Sequence, residues 1–355
     1  MVTYTSVICN MENHVAKNEL PVNLLPKFLS YEYVAENIKN IKHDFEFVQL
    51  TKDHIKELEV NVDKEFLSPE SLRLLSSVNN QVPVEYGSWV YFPIRNKCIQ
   101  ILPKSDFIEL RTCRNRLKIN RNEQLELSKK SIAVIGLSAG NAVASALIAE
   151  RICGRIILFD FDNCELSNLN RLNAGIFDLG LNKCVISANS ILEKDPYIDV
   201  EIHESGFRNS KEHADIIQSV DLVVDECDSF DIKISLRELS KKFRKPLLMH
   251  TSERGITDIE RYDIIENLPL FHGLLENVDL NDKSKVLMAV INPQIVSERM
   301  LLSFSELGKS LKSWPQLATE VFSGGANLAG IARMILLNQK VVGGRYFFNT
   351  EEVGR

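Results

Sequence analysis

The chain has 355 residues, 45% of them hydrophobic and 25% charged, with a net charge of −6. This is the profile of a globular protein with two domains, or one large domain and an extension. It excludes a basic field for a nucleic acid backbone, and no stretch approaches the roughly 20 apolar residues of a membrane span, so neither partner is expected.

The opening "MVTYTSVICNMENH" lacks the basic-then-apolar order of a secretory signal. The seven cysteines, Cys9, Cys98, Cys113, Cys153, Cys164, Cys184 and Cys227, are widely spaced and never form C-x-x-C. A cytoplasmic location is therefore expected, with no disulfide framework and no structural zinc.

Residues 1–110 form a smaller N-terminal α+β domain in this reading. "LLPKFLSYEYVAENIKNI" has helical spacing, and "SPESLRLLSSV" places a serine cap before an amphipathic run. "GSWVYFPI" and "CIQILP" predict a β-hairpin. Residues 111–355 form the second domain. There "SIAVIG", "RIILFD", "DVEIHESG", "DLVVDECD" and "KPLLMHTS" predict strands. Between them "NAVASALIAERI", "KCVISANSILEKD", "KEHADIIQSV" and "FDIKISLRELSKKF" predict helices. The alternation gives an α/β fold, a Rossmann-like mostly parallel sheet with helices on both faces. Beyond residue 255, "ITDIERYDII" predicts a strand pair, and "PQIVSERMLLSFSELGKSL" and "NLAGIARMILLN" predict helices.

The polar clusters fall at the carboxyl ends of these strands, where such sheets bind ligands. In "GLSAGNA", Gly136 permits a tight turn into a helix whose first N–H groups suit a phosphate. Ser138 and Asn141 stand at the second and third glycine positions of G-x-G-x-x-G, and Gly140 between them is a further candidate for contact with the cofactor. Asp160 ends the second strand, where a nucleotide fold grips a ribose, and Asp162 follows just beyond it as a further cofactor candidate. Asn168, Asn170 and Arg171 follow as donors for an anion. An arginine there suits a nucleoside triphosphate better than NAD, because its fork matches phosphate oxygens. Lys183 adds a second cation. Asp228 offers an anion for a Mg²⁺ bridging phosphates, with Asp225 and Asp231 as alternatives and a helix cap as its other reading. After the fifth strand, Arg254 is a candidate for a substrate carboxylate, Glu253 for a base, and His250 for a core histidine.

"SIAVIGLSAG", "IILFDFDNCELSNLNR", "GLNK" and "DLVVDECDS" occur in the order and spacing of the ThiF-like adenylyltransferases. That is the family of the ubiquitin-activating enzymes and of the activators of sulfur-carrier proteins, and the chain resembles it over about 120–335, including "FSGGANLAGIARMIL". The resemblance implies adenylylation of a carboxylate with ATP and Mg²⁺. It implies Asp160 on the ribose, Asn168, Arg171 and Lys183 on the phosphates, and Asp228 on the magnesium. It also implies a homodimer, in which Arg114 or Arg116 of "RTCRNRLKINRNEQLEL" reaches the ATP of the other subunit.

The chain departs from the family in having no paired C-x-x-C and no cysteine after Cys227, so transfer to an enzyme thiol is not expected. The N-terminal domain resembles, in length, the leader-holding unit of the branch that modifies ribosomally made peptides, the microcin and pantocin type. A peptide is expected to add as a strand at the "GSWVYFPI" edge, the alternative being a dimer-forming or purely structural domain. The expected reaction is activation of a precursor-peptide carboxylate, leading to cyclisation or amide formation in peptide-antibiotic biosynthesis. The alternatives are activation of a ubiquitin-like or sulfur-carrier protein, an NAD-dependent oxidoreductase, and a peptide-binding member without turnover.

Overall fold

The computed structural model describes residues 24–35, 46–77, 81–291 and 296–348. The opening segment with Cys9 lies outside them. The chain divides into two compact units, residues up to 124 with 189–199, and residues 125–188 with 200–355.

The first unit carries a four-stranded sheet in the order β1 (Lys27–Leu29), β3 (Ser88–Phe92), β4 (Lys97–Ile101), β2 (Glu46–Val48). The expected hairpin is β3–β4, antiparallel with Val90 opposite Ile99. Trp89 anchors it, stacked on Phe47 at 4.5 Å and donating its indole N–H to the Val84 carbonyl at 2.8 Å. Helices α1 (Lys52–Asn61) and α2 (Pro69–Ser76) bury Ile55, Leu58 and Leu74 in a core with Val82, Tyr86 and Leu102. Ser68 caps α2 as expected, its Oγ accepting from the Ser71 N–H, with Pro69 in the first turn.

Two expectations are corrected here. The run from residue 24 is not one helix, because Lys27–Leu29 pairs antiparallel with β3; its residues 36–41 lie outside the described ones. The hairpin is also flanked on both sides: β1 pairs with β3 over Trp89–Tyr91 and β2 with β4 over Lys97–Ile99, so the middle of the "GSWVYFPI" strand is already taken and is not an edge for a peptide.

The second unit is built on a seven-stranded sheet. Its order is β11 (Gly344–Phe347), β10 (Ile256–Glu260), β9 (Leu247–His250), β8 (Leu222–Asp225), β5 (Ser131–Ile135), β6 (Arg155–Phe159), β7 (Asp199–His203). Strands β6, β5, β8 and β9 run parallel, while β10 and β11 close one side antiparallel. The strand order reverses between β5 and β8, which is where a crevice opens beyond the strand ends. The expected strand pair at "ITDIERYDII" is one strand, β10; its second partner, β11, comes from the far end of the unit.

The sheet is buried on both sides, as its continuous apolar runs require. Ala133, Ile135, Ile157, Phe159 and Val223 pack on one face against Ile216, Ile217 and Leu236 of the helices Lys211–Ser219 and Phe230–Phe243. On the other face Gly140 meets Val134, and the helix Gly140–Ala149 packs against Ala318–Leu336. Each fully buried aliphatic side chain contributes about 2 kcal/mol, so the unit is held mainly by this two-sided burial. Among the described residues, no helix is long and apolar enough to cross a membrane.

Candidate functional site

Everything at the reversal point follows from the turn after β5. Gly136 has φ +89°, and a Cβ there would lie 2.5 Å from the Glu226 carbonyl. Only glycine lets the ends of β5 and β8 approach this closely. The next N–H, of Leu137, donates to Asp160 Oδ2 at 2.6 Å, and the Asp162 N–H donates to Oδ1 at 2.8 Å. Asp160 is thus fixed at the end of β6 and buried. Burial pushes its carboxyl up, opposed by the Asp162 N–H, the Lys183 charge and the Leu137 N–H.

Lys183, buried at the start of its helix, pairs with Asp162 Oδ2 at 2.8 Å. Its backbone N–H also donates to the Asp162 carbonyl at 3.0 Å. Asn141 is buried in the first turn after the glycine loop, and its Nδ2 donates to Ser187 Oγ at 2.8 Å. The residue at the third glycine position therefore fastens the loop's helix to the helix that carries Lys183.

Arg171 is half-buried. Its Nε donates to Ser138 Oγ at 3.1 Å, and one terminal nitrogen donates to Asn170 Oδ1 at 2.9 Å and to the Ser167 carbonyl at 3.3 Å. Burial lowers its pKa, and the negative charge of Asp228 works against that shift. Asp228 is exposed beyond β8. The cap of the following helix is Ser229, whose side chain accepts from the Ile232 N–H, so Asp228 is not the N-cap.

Several expected site residues are also tied into the fold. Asn168 Oδ1 accepts from the Glu165 N–H at 3.0 Å within its own 3₁₀ turn. Asn170 donates its amide to the Gln316 carbonyl at 2.8 Å rather than holding it for an anion. Glu253 accepts from the Ser297 N–H at 2.5 Å and from its hydroxyl at 3.2 Å, which ties it to the N-cap of the helix Glu298–Glu306. Arg254 follows with φ +50°, a left-handed backbone that sets it apart from β9. His250 is buried against Gly324 and shares a hydrogen bond of 3.0 Å with Thr257 Oγ1, as a core histidine would. In the other unit, Arg116 faces Glu109 at 3.6 Å and Asp63 at 3.9 Å, whereas Arg114 is exposed.

Of the two metal alternatives, Asp225 is tied into the fold. The β8 strand stops at Asp225, so Glu226, Cys227 and Asp228 lie beyond it. Asp225 is fully buried and ion-paired with Arg237 at 2.6 Å and Lys233 at 3.1 Å, which removes it as a metal ligand. Burial, with the Asp225 charge beside it, pushes the Cys227 thiol well above the ordinary range, which disfavours the thiolate. Among the described residues no three His, Cys, Asp or Glu side chains form a metal cage. A single exposed carboxylate is nonetheless a fitting donor for a Mg²⁺ that arrives on phosphates, because that ion takes one or two carboxylates and keeps its other oxygens. The glycine turn, the fixed carboxylate of Asp160 and the aimed guanidinium of Arg171 likewise fit a nucleoside triphosphate.

The sequence did not single out Glu226, whose Oε1 accepts from the His250 N–H at 2.9 Å and whose burial pushes its carboxyl up to about 8. Its only signal was a second acid directly after Asp225 at the end of an apolar run.

Residues 112–287 match the ThiF family model. The chain carries a ThiF-like domain, with the fold of the family to which its motifs point. It is 41% identical over 282 residues to protein MT1398 of Mycobacterium tuberculosis, covering 77% of this chain and 39% of that one. It is 23% identical over 125 residues to ubiquitin-like modifier-activating enzyme 5 of Caenorhabditis elegans, covering 32% and 30%. It is 29% identical over 126 residues to adenylyltransferase and sulfurtransferase MOCS3 of Drosophila yakuba, covering 35% and 28%. The chain therefore spans less than half the length of these relatives. Among solved structures, Escherichia coli MccB with ATP has a TM-score of 0.52 at 17% identity, covering 68% of this chain and 69% of that one. PaaA has a TM-score of 0.51 at 16% identity, covering 70% and 77%.

Proposed function

We propose that the chain binds ATP with Mg²⁺ at the carboxyl ends of β5, β6 and β8 and adenylylates a carboxylate on a ribosomally made peptide. The observation that carries this reading is the Arg171 guanidinium, aimed by Ser138 over the glycine turn and lying in the field of Asp228. It is supported by the ThiF match and by the likeness in fold to MccB, a protein crystallised with ATP.

In this reading a carboxylate oxygen attacks the α-phosphorus of ATP, the bond to the bridging oxygen breaks, and pyrophosphate leaves. Mg²⁺, bound with the nucleotide, would neutralise charge on the phosphates. Asp160 keeps lone pairs beyond its two backbone N–H partners and takes the ribose hydroxyls. Arg171 and Lys183 hold the phosphate oxygens, Lys183 by exchanging its Asp162 partner for a phosphate. Asp228 holds the metal, and Arg254 meets the substrate carboxylate. In this reading the Cys227 thiol, raised by burial and the Asp225 charge, takes no part, and the acyl group passes directly to a nitrogen or carbon of the same peptide. The first unit holds the leader, and a second copy supplies Arg114 or Arg116.

Mass spectrometry of candidate precursor peptides, with nucleotide analysis after incubation with ATP, tests the reading. AMP, pyrophosphate and a dehydrated peptide are expected. ADP and phosphate as products would contradict it.

A further inference from the structure

The turn that presents Asp228 is tied to a buried chain of charges, and that chain has no part in the reading above. Asp225, the last residue of β8, uses Oδ1 to accept from the Cys227 N–H at 3.3 Å. That bond shapes the two residues leading to Asp228. The same carboxylate receives Lys233 Nζ at 3.1 Å on Oδ1 and Arg237 at 2.6 Å on Oδ2. Arg237 is fully buried and spans to a second strand, its Nε 2.7 Å from Glu260 Oε2 on β10. Its guanidinium lies 3.5 Å over the Phe271 ring. Glu260 is fixed in turn by the Tyr262 hydroxyl at 2.6 Å and the Phe271 N–H at 2.8 Å.

The geometry points to Arg237 as a positioning residue for the metal-bearing turn, one that holds Asp225 against Glu260 so that Asp228 is presented in a single orientation. The inference rests on the assignment of Asp228 as the magnesium ligand. The planar fork is what the place requires, since one side chain must meet two carboxylates on different strands while stacking on an aromatic face. Lys233 meets Asp225 and the Met249 sulfur, and its ion pair is with Asp225 rather than Glu260. The four groups balance, two cations against two anions. Removing Arg237 alone would leave a buried carboxylate unpaired and threaten the fold. The paired change Arg237→Met with Glu260→Gln removes one charge of each sign and leaves Lys233 on Asp225.

The test uses the full chain. Mn²⁺ binding in the presence of a non-hydrolysable ATP analogue is followed by electron paramagnetic resonance, and amide hydrogen exchange of residues 226–229 is followed without metal. In the folded double variant Mn²⁺ affinity is expected to fall about tenfold, the scale for residues that orient a metal ligand. Exchange over 226–229 is expected to quicken about tenfold as local opening becomes easier. Unchanged affinity and exchange in a folded double variant would overturn the inference. Should that variant fail to fold, Arg237→Lys keeps the charge on Asp225 without the bridge to Glu260, and is expected to move both readouts in the same directions; no movement would overturn it equally. Asp228→Asn separates the two ideas. If it leaves Mn²⁺ affinity intact, the metal assignment fails, while the exchange measurement still judges Arg237.

Discussion

Ser138 Oγ accepts the Nε hydrogen bond of Arg171 at 3.1 Å. The residue that spoils a glycine-rich fingerprint is thus the one that aims the arginine of the loop after the next strand. A glycine at 138 would give a phosphate close approach to the backbone but leave Arg171 without this partner. The serine joins the two loops through this bond, an arrangement that would suit a polyphosphate carrying several charged oxygens.

Arg171→Ala should lower kcat/KM for ATP by about 2–4 kcal/mol, the scale for one donor acting on developing charge. Arg171→Lys should recover only part, because a point charge cannot fork. Ser138→Ala should cost about 1 kcal/mol, the net value of one hydrogen bond, through weaker orientation of the arginine. Steady-state kinetics over ATP concentration separates these effects. Full recovery by lysine would show that the contact is not bidentate.

Asp228→Ala should abolish product formation while the circular dichroism spectrum and melting temperature stay near those of the parent, since the side chain is exposed and caps nothing. Turnover near the parent rate would remove it from the site.

The His250 imidazole is held down at about 4 by burial, with the Glu320 backbone opposing the shift. Above its unfolded value of about 6.5 the ring is neutral in both states and adds no slope. Below that pH the unfolded chain binds a proton that the folded one refuses, so stability falls as pH drops towards 4, by about 3 kcal/mol in all. Urea midpoints measured from pH 7 to 4 should therefore fall less steeply for a folded His250→Gln variant. A parallel fall would show that other groups dominate the acid limb.

Gly324→Ala should destabilise the second unit by about 1–3 kcal/mol, the usual cost of overpacking. The added Cβ would overlap the buried His250 ring, which Thr257 holds in place. Thermal unfolding of the parent and variant measures this, and an unchanged midpoint would mean that the ring moves aside freely.

The parallel sheet was legible because its strands are continuous apolar runs between helix-length amphipathic segments, and Ser131–Ile135 through Leu247–His250 lie where that pattern puts them. Lys27–Leu29 was not, because a three-residue strand is too short to show a period of two. Gly344–Phe347 pairs with a strand far away in sequence, and no local pattern reveals such a partner. At the site, residue types at strand ends identified Asp160, Arg171, Lys183 and Asp228 as candidates. The pairings of the neighbouring candidates stayed hidden: that Asp225 is neutralised by Arg237, that Glu253 is tied to Ser297 and that Asn170 is tied to Gln316 depends on contacts across 12, 44 and 146 positions of chain.

Calorimetric titration with ATP·Mg²⁺ and with NAD, into the parent and into Arg171→Ala, tests the central claim most directly. Two cationic side chains and the carboxylate proposed to hold Mg²⁺, around one glycine turn, would favour a triphosphate over the dinucleotide's two phosphates. The account predicts binding of ATP·Mg²⁺ to the parent, at least tenfold weaker binding (~1.4 kcal/mol) to the variant, and no heat from NAD. Binding of NAD with none of ATP·Mg²⁺ would contradict it.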